Sequence, residues 1–207
     1  MSPGLLGVVF IATIDLALLA TLLRRPDLMG VAGGRVLAFL TILVLPIAAF
    51  YTGLGQHVEQ SKRTEFCVSC HVMEPYGQSL LIDRPDYLPA QHFQNGRVDK
   101  DFACFVCHTN YTMFGDIQAK MTGVKHVWVN YLGTIPDELT LYQPYQNREC
   151  LYCHGEARFF VESDLHRDMR PELDANEISC LECHAPVHDV DRLDALDMWD
   201  PGESLQR

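Results

Sequence analysis

The chain has no cysteine to spare. All eight fall in one repeated pattern: CVSCH at 67–71, CFVCH at 104–108, CLYCH at 150–154 and CLECH at 180–184. With no thiol outside the repeats, a disulfide framework beside them is excluded. A CxxC pair alone would still be open to redox chemistry, zinc or a disulfide. Histidine is scarce too, nine in 207 residues, yet one follows the second cysteine of every pair. Zinc sites do not need that fixed neighbour. Haem attachment does: two thiols on one helical turn form thioethers with the porphyrin edge, and the adjacent imidazole swings under the iron. Cys67, Cys70, Cys104, Cys107, Cys150, Cys153, Cys180 and Cys183 are therefore the expected anchors of four covalently attached haem c groups. By the same rule His71, His108, His154 and His184 are the expected proximal ligands.

Regular repeats and strand patterning are also missing. Successive motifs are 37, 46 and 30 residues apart, too unequal for a solenoid. The Pro, Gly and Asp residues between them point to short helices and irregular wrapping segments, at roughly 64–79, 115–132, 146–168 and 176–186. Only about 150 residues would envelop four macrocycles, so the core is expected to be largely haem. The fold class is mainly α with much irregular structure: an N-terminal transmembrane helical hairpin followed by a compact tetrahaem cytochrome c domain.

The hairpin is read from residues 1–55, where spans at 5–23 and 36–55 are each long enough to cross a bilayer core of about 30 Å. No basic n-region precedes Leu5 and no convincing cleavage site follows, which argues against a secretory signal. Arg24, Arg25 and Arg35 place the connecting loop in the cytoplasm. The haem domain, 56–190, is then expected on the periplasmic side of a bacterial inner membrane, the oxidising side that suits thiol handling. Asp15 inside the first span is expected to meet an integral membrane partner subunit or to handle protons. Pro46 is expected to kink or loosen the second span.

Basic residues are few beyond the anchor. From His57 onward 25 acidic side chains face 13 basic ones, a balance that excludes nucleic acid as a partner and suits a basic face on a redox partner. Residues 191–207 form an acidic C-terminal tail, either solvated or docked along a larger complex.

The anchor, the CVSCHVM start, three further CxxCH motifs and HVWVNYLGTIPDE at 126–138 together resemble the NapC/NirT family of membrane-bound tetrahaem quinol dehydrogenases, over about residues 36–190. The resemblance implies oxidation of membrane quinol and electron delivery to a periplasmic reductase or soluble carrier. It implies distal ligation by His166 and His188, on either side of the fourth motif, and by His92, before the second. His126 is a departure, because the family's nitrite reductase anchor subunit has an aspartate at the matching position and a histidine where Asn130 stands here. One helical turn separates the two positions, so His126 is a distal-ligand candidate for the first haem. Lys120 resembles the family lysine near the quinol headgroup, with Glu65 and Asp116 as further proton-accepting candidates. Met73 has two readings. The general motif makes His71 the ligand and Met73 a gap-filler beside a flat ring, whereas the resemblance makes Met73 the proximal ligand of the first haem. A non-catalytic relay subunit of a larger respiratory or photosynthetic membrane complex is the alternative function.

Overall fold

The computed structural model describes residues 3–136, 139, 141, 143–185, 187–188 and 190–200. It divides into two compact units, Met1–Ser61 and Lys62–Arg207.

The first unit is a helical hairpin. Helices α1 (Pro3–Arg24) and α2 (Ala32–Gln60) are both long and apolar enough to span a membrane. They run past the expected limits because backbone hydrogen bonding continues after the apolar run ends; the largely polar stretch 56–60 is still helical. Small residues let the helices approach: Gly7 faces Thr52 and Gly53 faces Val8. Leu22 and Ala38 are buried, while most other large apolar side chains point outward, as lipid-facing residues do. Pro46 does not end α2. The segment Leu40–Val44 is a π turn, and the Leu45 N–H bonds to the Leu40 carbonyl, so the proline's missing donor falls where the register has already shifted.

The second unit is built of short helices: α3 (Thr64–Val68), α4 (Glu74–Gln78), α5 (Leu88–Gln94), α6 (Ala103–His108), α7 (Gly115–Leu132), α8 (Asn147–His154), α9 (Arg158–Val161), α10 (Asp164–Asp168), α11 (Arg170–Asp174) and α12 (Cys180–Cys183). Among the described residues no strand forms, only an isolated bridge between Ile82 and Met198. The expected helix at 115–132 is found whole, stopped at Gly133, whose N–H reaches the Trp128 and Val129 carbonyls. Gly115 is required at its start, since a Cβ there would lie 1.2 Å from the Asn110 carbonyl oxygen.

The other long helices expected from sequence divide. The stretch 64–79 breaks at the first motif, where a 3-10 turn, His71–Met73, precedes the helix start marked by Pro75. The stretch 146–168 breaks after His154 and again at Ser163, whose hydroxyl accepts from the His166 N–H. The stretch 176–186 shrinks to α12, fixed by a capping box between Ser179 and Glu182. Helices α5 and α6 lie outside the stretches expected to be helical, because apolar residues that serve several surfaces do not mark one helix face.

Ile82, Tyr87 and Ala90 are completely buried, and Leu193 and Leu196 pack on them. The described part of the acidic tail thus folds back along the unit: the Asp83 N–H donates to the Asp197 carbonyl at 2.8 Å and the Trp199 N–H to the Leu81 carbonyl at 2.6 Å. Residues 201–207 of that tail, like Asp137 and Glu138 of the 126–138 stretch, lie outside the described residues.

Candidate haem-binding sites

In the second, third and fourth motifs a helix ends at, or one residue before, the motif histidine, so both cysteines share one turn. The first motif differs. Helix α3 ends at Val68, Cys70 is extended, and His71 opens the 3-10 turn that also holds Met73. Gly77 permits this tight return, because a Cβ there would meet Val68 Cγ1 at 2.6 Å. The attachment thiols adjoin in pairs: Cys67 is hydrogen-bonded to Cys104, and Cys150 to Cys180. Each shared contact holds one thiol down, Cys67 and Cys180 at about 7, and pushes its partner up.

Three motif histidines face a second ring. His154 and His92 have ring centres 5.9 Å apart, His108 and His188 6.1 Å, and His184 and His166 6.1 Å. One metal held between two imidazoles requires about 6 Å, from two bonds of about 2.0–2.1 Å plus about 1 Å from each nitrogen to its ring centre. The paired residues therefore fit a haem iron that would lie between them.

Tautomers agree with this. Ser79 Oγ donates its only hydrogen to the Tyr76 carbonyl at 2.7 Å, so at 2.8 Å it accepts from His188 Nδ1. His92 Nδ1 donates to the Leu88 carbonyl at 2.8 Å. In both rings Nε2 is left with its lone pair, the usual arrangement of a ligating histidine with a hydrogen-bonded rear nitrogen. His188 also takes a left-handed backbone, φ 51°, uncommon for a residue other than glycine. Burial and then His108 push His188 down to about 4, and burial and then His126 lower His108, so both rings are neutral as a metal requires. His154 is lowered by burial, then by His92 and His184. His166 is stacked on Phe160 at 4.5 Å, and its Nδ1 is buried without a partner.

His71 has no such ring opposite it among the described residues. Its side chain is 96% exposed and its Nδ1 lies 3.3 Å from Glu74 Oε2, while Met73 is half-buried in the same turn. His126, on α7, is exposed and close enough to His108 for its charge to be felt there.

The quinol-site candidates separate. Lys120 Nζ lies 4.8 Å from the centre of the Phe105 ring, inside the second motif, and its charge helps lower the Cys67 thiol. Lys62 approaches the same ring at 5.3 Å and is ion-paired to Asp116 at 2.9 Å, with its side chain only 14% exposed. Thr109 donates weakly to the other Asp116 oxygen at 3.4 Å. Glu65 is exposed in the first turn of α3, and no described contact joins its carboxylate to this cluster. Lys62 had no motif to announce it. Nor had Ser79, which lies 109 residues from His188 in sequence.

A model of the NapC/NirT cytochrome c family, N-terminal region, matches residues 32–192. The chain is similar to the cytochrome c-type protein NapC of Haemophilus influenzae, 23% identical over 184 residues that cover 79% of this chain and 83% of the relative. It is similar to the denitrification system component NirT of Stutzerimonas stutzeri, 26% identical over 185 residues, 80% of this chain and 85% of the relative. NapC of Paracoccus pantotrophus is 25% identical over 155 residues, 67% of this chain and 62% of the relative. No solved structure matches. The repeated attachment motifs, the facing imidazoles and the two apolar helices accord with a match that spans most of the chain, which belongs to the NapC/NirT cytochrome c family of membrane-anchored, covalently haem-bearing electron-transfer proteins.

Proposed function

We propose that this chain holds four haem c groups, accepts electrons from membrane quinol on the periplasmic side of a bacterial inner membrane, and passes them to a periplasmic reductase or soluble carrier. The observation that carries this reading is the cationic cluster at Phe105, where Lys120 and Lys62 flank a ring of the second motif beside Cys67. Haem c, when bound, supplies one-electron acceptors whose potential the axial ligands and burial set. The chain's residues do the rest. Lys120 presents an ammonium to the quinol oxygen and stabilises the negative charge that develops as the O–H proton leaves. Asp116, whose carboxylate is held by Lys62 and Thr109, takes that proton and releases it to water in this reading. Loss of both hydroxyl protons and two electrons leaves quinone. His108 with His188, His154 with His92, and His184 with His166 would hold the haem irons.

Lys120→Met is expected to slow quinol-driven haem reduction about 100-fold, the usual loss when one positioned donor is removed. Haem content and reduction by dithionite should not change. Normal quinol kinetics in this variant would sink the assignment.

At the first motif His71 and Met73 remain rival donors. The Glu74 contact behind His71 Nδ1 suits ligation through Nε2, whereas a thioether favours the reduced metal and would help that haem take an electron from quinol. Met73→Leu separates them: a lowered potential and altered visible spectrum for one haem assign Met73, and an unchanged spectrum and potential assign His71.

The relay-subunit reading is favoured by Asp15, which has a carboxyl oxygen buried without a partner inside α1, as expected if a polar group of another membrane subunit completes it. Stoichiometric haem reduction by a quinol analogue with the isolated chain would reject the relay reading.

A further inference from the structure

Helix α7 carries an apolar stripe that the rest of its unit does not cover. Ile117, Met121, Val124, Trp128 and Tyr131 recur at intervals of four and three residues, so they share one face, and each is more than half exposed. On a turn of 3.6 residues His126 falls on the opposite face with Ala119 and Gly123, where small side chains leave room for a flat group. The stripe is therefore not the side that the candidate haem ligand presents. Trp and Tyr lie toward its C-terminal end, and Lys120 and Lys125 border it on either side. In a domain with 25 acidic and 13 basic residues from His57 onward, this helix has two lysines and one aspartate. That aspartate, Asp116 in the first turn, is ion-paired to Lys62. Lys62 is the second residue beyond Gln60, where the apolar hairpin ends. The start of α7 is thus ion-paired to a residue only two positions along the chain from the end of the apolar hairpin.

We propose that α7 is an interfacial membrane helix, with Ile117, Met121, Val124, Trp128 and Tyr131 lying in the headgroup layer of an anionic bilayer. An apolar face with aromatic residues and bordering lysines is the chemistry that such a layer accepts. A second protein would be a rival occupant, but the excess of lysine on this helix in an acidic domain and the short chain distance from its ion-pair partner Lys62 to the apolar hairpin favour lipid. The inference rests on the surface of α7 and the membrane anchor, not on quinol oxidation.

The test uses the full-length holoprotein in vesicles of phosphatidylethanolamine and phosphatidylglycerol. A benzophenone amino acid replaces Met121, Val124 or, as a control, the equally exposed Leu165 of α10. After illumination the Met121 and Val124 variants are expected to gain the mass of one phospholipid, and the Leu165 variant is not. Unchanged mass at all three positions, equal lipid capture at Leu165, or a cross-link from α7 to another protein would each overturn the proposal. Haem content, measured on every variant, confirms that the domain has folded. Because the readout is mass, failure here is distinguishable from failure of the quinol site, which is read in reduction kinetics.

Discussion

Replacing His188 by leucine is expected to convert one haem from a six-coordinate, low-spin centre to an open one, with loss of its low-spin electron paramagnetic signal and a change in its potential. Covalent haem attachment should remain, since no cysteine is touched. The size of the effect follows from how firmly the ring is held. Ser79 fixes Nδ1 as the donor, and the left-handed backbone aims the ring at His108, 6.1 Å away. Leucine supplies no replacement donor and would have to keep the same strained backbone. Ser79→Ala offers a graded control. It keeps the ligand but removes the group behind it, which should weaken ligation about 10–100-fold and leave the second centre low-spin at neutral pH. An unaltered spin state in His188→Leu would show that His108 has a different partner.

Asn147→Ala should produce the largest loss of stability. The Asn147 side chain donates to the Leu173 carbonyl at 2.9 Å and to the Ile178 carbonyl at 2.6 Å, and it accepts from the Cys180 N–H at 2.9 Å. Its own N–H donates to Asn176 Oδ1 at 2.7 Å. One buried amide thus clips the approach to the fourth motif onto the start of the third and holds Cys180 beside Cys150. The Leu173 carbonyl keeps the Asn176 N–H, but alanine leaves the Ile178 carbonyl and the Cys180 N–H unpaired at about 1–3 kcal/mol each, so the expected cost is about 2–5 kcal/mol. Asn147→Asp should be at least as harmful, because it turns the amide donors into an acceptor facing two carbonyl oxygens. Denaturant unfolding followed through the Soret band measures the loss, and whole-protein mass measures incomplete attachment at the fourth motif. An unchanged midpoint in Asn147→Ala would show that the clip is dispensable.

These two residues mark where sequence reading stops. The four CxxCH repeats, and with them a covalently haem-bearing cytochrome, were legible because thioether chemistry demands two thiols on one turn with an imidazole next to them, and that spacing is local. The two apolar helices were legible for a similar reason: a bilayer sets a length that the chain must satisfy by itself. Helix α7 was legible in its full extent because Gly133 and Pro136 stop it locally. The helices around the motifs were not, since their apolar residues follow surfaces other than a single helix face.

Which histidine faces which was decided only by the tertiary structure. His92 lies 62 positions from His154, and His188 lies 80 from His108; only the folding of short helices around one another brings such rings to about 6 Å. Ser79, Lys62 and Asn147 are silent in sequence for the same reason, as an ordinary serine, lysine or asparagine acquires its role from a group that is distant along the chain. The sequence by itself determined the haem chemistry and the membrane anchor, both written in local spacing and length. The pairing of the histidine rings, the cationic cluster at Phe105 and the apolar face of α7 depend on long-range packing, which no local pattern encodes.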